Sequence, residues 1–200
     1  MAAAPAPHGE SAAPTHPLTI AEYAALGETE HGYTELIEGS LLMSPSPAMK
    51  HSRAMRKLLL ALADDVPDDL EVFQDLDINL ELRPPGGPGF SRRPDLIVVT
   101  VESSERVDAE GGLVRASEVR LAVEIVSPGS RRIDNVDKRR DYADAGIPYY
   151  WIVDLDDPAS LVSCHLTEEF GYVDDQTATG TFTTDVPFPV EIDLTRLIKR

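Results

Sequence analysis

The run Leu121-Ala122-Val123-Glu124-Ile125-Val126, closed by Ser127-Pro128-Gly129, constrains this chain more than any other stretch. Apolar and β-branched residues favour a short buried strand, and the proline ends it because it cannot donate to a sheet ladder. Glu124 interrupts that dry run, and a buried carboxylate is costly unless a cation or hydrogen-bond donors meet it. A second carboxylate stands in a similar place: Arg93-Pro94-Asp95 opens the apolar run Leu96-Ile97-Val98-Val99-Thr100. If the two strands are neighbours, Asp95 and Glu124 converge at one edge of a sheet. Two hard oxygen donors with room left for water suit a magnesium or manganese ion. Beyond Ser130 the chain enters a predicted helix that carries Lys138, a cation placed to serve the same site.

Composition narrows the setting. The chain has 200 residues, enough for one domain with a real core, and its 42% hydrophobic and 26% charged residues are those of an ordinary globular protein. No apolar run approaches the length of about 18 residues that would cross a membrane. The first 17 residues, rich in Ala and Pro, lack the basic and apolar regions of a secretory signal and read as a disordered tail before a single domain over 18–200. With one cysteine, Cys164, there is no intramolecular disulfide, and a cytoplasmic location is expected. The net charge of −17 runs against binding to a phosphate backbone. Its distribution is uneven, however. Basic residues gather at Lys50, Arg53, Arg56 and Lys57, at Arg92 and Arg93, and from Arg131 to Arg140, all flanking the two carboxylates, while the acidic excess lies in 64–81 and after Asp154. Two readings of this distribution stay open: a basic cleft on an acidic body, with Lys50, Arg53, Lys57, Arg93 and Arg131 as nucleic-acid contacts, or ordinary solvated helix faces.

In chain order, Thr19 and Glu22 form a capping box for a short helix that Gly27 ends. Tyr33 to Ile37 and Ser40 to Met43 read as a hairpin around Glu38-Gly39, on whose spacing alone Glu35 faces solvent. A helix follows from Ala48 to about Asp65, with Met55, Leu58, Leu59 and Leu62 as its apolar stripe and His51 facing the same way. Leu70 to Leu82 alternates as one long half-exposed strand, Arg83 to Phe90 is a Pro/Gly connection, and Val101 to Ala116 reads as a polar surface excursion. The helix after Ser130 is expected to reach Ala145, with Ile133 and Val136 toward the core and an Asp134–Lys138 pair at i, i+4. Pro148 to Asp154 is a buried strand, and four short antiparallel strands and a helical turn finish the chain. The order implies an α/β sandwich with a mixed central β-sheet flanked by helices and a C-terminal antiparallel β extension.

These pieces together resemble a family. Pro94-Asp95, Glu124 in the following strand and a nearby lysine are similar to the PD-(D/E)XK motif of restriction-endonuclease-like nucleases. More narrowly, Glu35-Leu36-Ile37-Glu38-Gly39, His51, Arg93-Pro94-Asp95, Val123 to Pro128, Asp134, Lys138, Tyr142 and Gly146 to Asp154 resemble the Uma-type endonucleases. The resemblance covers roughly 18–166. It implies a restriction-endonuclease-like core, Glu35 as a third acid and His51 as a further catalytic candidate, and Mg2+ (or Mn2+) held by Asp95, Glu124 and the Ile125 carbonyl. The substrate would be nucleic acid, DNA before RNA, cut by a homodimer that brings one site to each strand. Two positions depart from the pattern. The motif lysine two residues after the glutamate is replaced by Val126, so Lys138 has to reach in from the helix, and Tyr149 stands where an acid is common. Two other classes therefore stay open: a nucleic-acid-binding module with a degenerate site, and an oligomeric scaffold in which Glu124 and Lys138 form an inert buried pair.

Overall fold

The computed structural model describes residues 16–27, 32–43, 47–126 and 133–199, with the main chain alone for 133–135. The expected tail therefore lies outside the described residues up to residue 15. Helix α1 is Ile20–Leu26. Its capping box is formed, with the Glu22 N–H donating to Thr19 Oγ1 at 3.2 Å and the Thr19 N–H donating to Glu22 Oε2 at 2.8 Å. Strands β1 (Thr34–Ile37) and β2 (Ser40–Met43) make the hairpin, turning on Glu38 and Gly39, both at positive φ. A side chain at position 39 would run into Pro17, so only glycine fits there. Helix α2 is Met49–Asp65, and it is followed by β3 (Leu70–Gln74), β4 (Ile78–Asn79), β5 (Ser91–Arg92) and β6 (Leu96–Thr100). Next come α3 (Val101–Glu110), β7 (Val114–Arg115), β8 (Val119–Val126), a π-helical turn at Ile133–Lys138 and α4 (Arg139–Asp144). Strands β9 (Tyr149–Asp154), β10 (Ser160–Thr167), β11 (Gly171–Thr179), β12 (Thr181–Thr184) and β13 (Val190–Asp193) lead to α5 (Leu194–Ile198).

The central sheet runs β11-β10-β9-β8-β6-β3. It is mixed: β8 and β9 are parallel, joined across the segment that holds α4, and the other pairs are antiparallel. One face packs Ala54, Met55, Leu58 and Leu62 of α2 against Leu96, Val98, Leu121, Val123 and Trp151, with Phe182, Ile192 and Leu197 from the C-terminal β12–β13 pair and α5. The other face buries Ile97, Val99, Ala122 and Tyr150 beneath Tyr142 of α4 and beneath Ile78 and Val114 of a second sheet, ordered β2-β1-β5-β4-β7. The fold is therefore the mixed α/β architecture with a C-terminal antiparallel pair that the sequence implied.

Three expectations need correction. The alternating stretch 70–82 is not one strand: Asp75 takes φ 53°, and the break sends β3 to the central sheet and β4 to the second one. The polar excursion after Thr100 is a helix, capped by Thr100 Oγ1, which accepts from the Ser103 N–H at 3.3 Å, and ended by Gly111 at φ 73°. It lacks a wide apolar stripe: Val107 packs against the core, and Arg106 pairs with Glu118 at 2.6 Å. Val136 does not face the core but is 57% exposed; Lys138, Asp141 and Tyr142 turn inward instead. The side chains of Ile133 and Asp134, and the Asp134–Lys138 pair, lie outside the described residues.

Leu58 is fully buried where α2 meets the sheet, whereas Leu60, two positions on, is 59% exposed. In urea unfolding, Leu58→Ala is expected to cost about 2–5 kcal/mol, and Leu60→Ala no more than about 0.5 kcal/mol.

Candidate active site

Asp95 leaves Pro94 just ahead of the first β6 residue, and Leu96 pairs with Val123 of β8, so the next position along each strand brings Asp95 beside Glu124. Two contacts fix the Asp95 carboxylate. The Ile125 N–H donates to Oδ2 at 2.6 Å, and His51 Nε2, reaching over from the first turn of α2, lies 2.8 Å from Oδ1. Asp95 and His51 remain partly open to solvent, each side chain 15% exposed.

Glu124 is held differently. It is buried, and its Oε1 accepts from Lys138 Nζ at 2.8 Å and from the Tyr142 hydroxyl at 2.7 Å. Burial, and then the neighbouring charges of Glu124 and Glu35, push the Tyr142 hydroxyl well above its usual range, so it stays a donor at any working pH. Lys138, the last residue of the π-helical turn, thus reaches in to Glu124 from outside the strand that carries it.

Glu35 was expected to face solvent from the hairpin spacing alone, but it is buried, because β1 lies inside the second sheet between β2 and β5. Arg92 Nη1 donates to its Oε2 at 2.8 Å, the Arg93 N–H donates to its Oε1 at 3.1 Å, and Lys138 Nζ stands 3.3 Å from the same oxygen. Burial would raise the Glu35 carboxyl, but Lys138 and Arg92 outweigh it and hold the group below its usual value. Arg92 in turn reaches Asp141 of α4 through Nε at 3.0 Å and Nη2 at 2.6 Å. Against the cost of burying its charge, these two carboxylates push the Arg92 guanidinium further up.

The structure thus brings Asp95 and His51 together, joins Glu124, Lys138 and Glu35, and places the Ile125 main chain against Asp95. The expected nucleic-acid contacts are less uniform. Lys50 Nζ donates to the Leu155 carbonyl at 2.6 Å, and Lys57 Nζ to the Arg196 and Lys199 carbonyls at 2.6 and 2.5 Å. Arg93 pairs with Asp77 at 2.6 Å and stacks over the Tyr33 ring at 4.5 Å. Arg53 is half-buried and Arg131 lies outside the described residues. Sequence reasoning missed Arg92 and Asp141. Strand alternation held the clue to the first, since Arg92 points away from Arg93 and Asp95; helix spacing held the clue to the second, three residues after Lys138. Asp75 also went unnoticed. Its N–H donates to the Asp95 carbonyl at 3.2 Å, and burial together with the nearby Asp95 charge raises its carboxyl.

The family model Uma2, described as "putative restriction endonuclease", matches residues 20–195. The chain belongs to this family. Among solved structures, the Uma2 chain is similar to a protein of Anabaena variabilis described as "a putative nuclease", with 21% identity, a TM-score of 0.65, and coverage of 91% of this chain and 98% of the other. At that identity the likeness shows that the Uma2 chain shares its fold with that protein. No curated protein matches it.

The depressed Glu35 group sets the sign of a pH effect. Its ionised form stabilises the fold above its usual carboxyl value of 4.5, and that contribution is lost as pH falls through the lower value of the folded protein. Glu35→Gln is expected to cost about 2 kcal/mol or more at pH 7. In urea titrations at successive pH values, the gap between wild type and Glu35→Gln should narrow only below the usual carboxyl value; a constant gap would show that the charge of Glu35 is not what stabilises the network.

Proposed function

We propose that this Uma2 chain is a divalent-metal-dependent endonuclease that hydrolyses phosphodiester bonds, with DNA as its substrate. The observation that carries the reading is the register of β6 and β8, which sets Asp95 beside Glu124, with the Lys138 ammonium 2.8 Å from Glu124. The family description supports a nuclease in general terms.

The donor set suits a hard cation. Among the described residues no three His, Cys, Asp or Glu side chains gather around one point, so no side-chain cage of the kind that strips a metal of its water is present there. Two carboxylates and a main-chain carbonyl are what magnesium takes while keeping several waters. The Asp95 oxygens, each with one contact already described, retain lone pairs for it. Asp95, Glu124 and the Ile125 carbonyl would hold the ion, which when bound would polarise the phosphate and lower the pKa of water.

The chain's own residues do the rest. Lys138 presents a positive charge beside Glu124, where it orients the attacking water and offsets charge building on the phosphate oxygens. His51 fixes the rotamer of Asp95 and stays partly open to solvent. Tyr142 donates to Glu124 and holds that carboxylate in one orientation.

Plasmid DNA, single-stranded DNA and RNA incubated with magnesium, manganese or chelator provide the test. The wild type should cut DNA only with metal, and Glu124→Ala and Asp95→Ala should each lower the rate by roughly 100-fold or more. Calorimetry should show manganese binding that Asp95→Ala abolishes; cutting that persists in chelator, or binding indifferent to Asp95, would refute the assignment.

A second reading rests on how fully these cations are engaged: Arg92, Arg93 and Lys138 are all paired with carboxylates. In a scaffold of this fold with an inert buried pair, Glu124→Leu combined with Lys138→Met would be as stable as wild type or more so, since a buried ion pair is often matched by apolar residues of similar volume. A marked loss of stability in that double variant would remove this reading.

A further inference from the structure

Lys138 is not on the strand that carries Glu124, and the reading of the site as a nuclease requires its ammonium to be held in one place. A lysine is poorly suited to holding itself: it is a point charge on a flexible four-carbon stem. The turn that bears it is π-helical, Ile133–Lys138, a form common at functional sites. It hands over to α4 so that Lys138, Asp141 and Tyr142, at i, i+3 and i+4, are all buried.

Together those three side chains meet anchors on three strands. Tyr142 and Lys138 meet Glu124 on β8, Lys138 also approaches Glu35 on β1, and Asp141 meets Arg92 on β5. Arg92 closes the circuit. One edge of its guanidinium, Nε and Nη2, is forked onto Asp141 Oδ2 at 3.0 and 2.6 Å, and Nη1 lies 2.8 Å from Glu35. The planar fork has a fixed geometry, so it sets the distance between the second sheet and the helix in a way that a lysine at this position would not. Glu35 receives donors on both oxygens, from Arg92, the Arg93 N–H and Lys138, so it acts as an anchor for cations.

We propose that Arg92 is a positioning residue for Lys138: bridging Glu35 and Asp141 in the interior, it fixes both the helix and the carboxylate between which the Lys138 ammonium is held against Glu124. This rests on the nuclease reading for its purpose, though not for its geometry. A buried arginine between two acids brings little stability that apolar residues of equal volume would not, whereas a network of this shape defines where one ammonium sits.

The experiment follows the Lys138 ammonium directly by 15N-detected NMR of the full chain, with Lys138→Arg used to assign the resonance. The same preparations are assayed for metal-dependent DNA cutting. Asp141→Asn is the milder variant, because Arg92 keeps its pairing with Glu35; Arg92→Lys removes the fork while retaining the charge. Circular dichroism and cooperative unfolding establish that each variant is folded. The expected result in folded protein is a shifted or broadened Lys138 resonance, with kcat reduced roughly 10- to 100-fold and KM little changed. A folded variant with an unmoved resonance and unchanged kcat would overturn the proposal, whatever its loss of stability, since that is the signature of a purely structural pair. If Arg92→Lys fails to fold, Asp141→Asn alone decides. If the wild type cuts nothing yet the resonance moves in Asp141→Asn, the positioning role stands and the nuclease reading is the one that fails.

Discussion

The Lys138 ammonium, held between Glu124 and Glu35 in a largely dry interior, is the interaction on which the rest of this site depends. Charges in such a place are expensive to desolvate, and their mutual attraction offsets the cost only where geometry is good and the remaining donors are satisfied. Both conditions shape the surroundings. Tyr142 and Lys138 share one oxygen of Glu124, and Arg92 and the Arg93 N–H take up Glu35. Three strands from two sheets and one helix thus meet at a single polar knot, which explains why α4 packs with charged as well as aromatic side chains inward.

The knot and the pair His51–Asp95 divide the site into two regions of different character. Asp95 and His51 are partly open to solvent, whereas Glu124, Lys138, Glu35, Arg92 and Asp141 are buried. Under the proposed reading, water and phosphate would approach from the open side and fixed charges would wait on the other. The division also reconciles the net charge of −17 with cations at the site, because Arg92 and Lys138 are paired with acids in the interior.

Much of this was legible in the sequence. Glu124 in an apolar run announced a buried acid in need of a partner, Pro94-Asp95 announced a second at a strand end, and His51 lay on the apolar face of its helix, four residues before Met55. The helix at 101–110 was illegible because its sequence lacks a wide apolar stripe: Thr100 caps it and only Val107 of it packs against the described core clusters. Val136 was misplaced for a related reason. Assigning apolar residues to the inside of a helix fails where the inside is polar, and here Glu124 and Glu35 draw Lys138 inward, Arg92 draws Asp141, and the valine is left at the surface.

Sequence by itself determined most of the strands and helices and singled out the two carboxylates, because period, proline placement and apolar runs are local properties of the chain. Tertiary structure decided what local pattern cannot encode. Whether Glu35 is wet or dry depends on which strands flank β1. Whether Lys138 can stand in for a lysine absent at Val126 depends on where α4 is pinned, and that in turn depends on Arg92, a residue whose two partners lie 57 and 49 positions away along the chain. Long-range pairing of buried charges follows from packing of the sheets and helix, and no spacing within one element announces it.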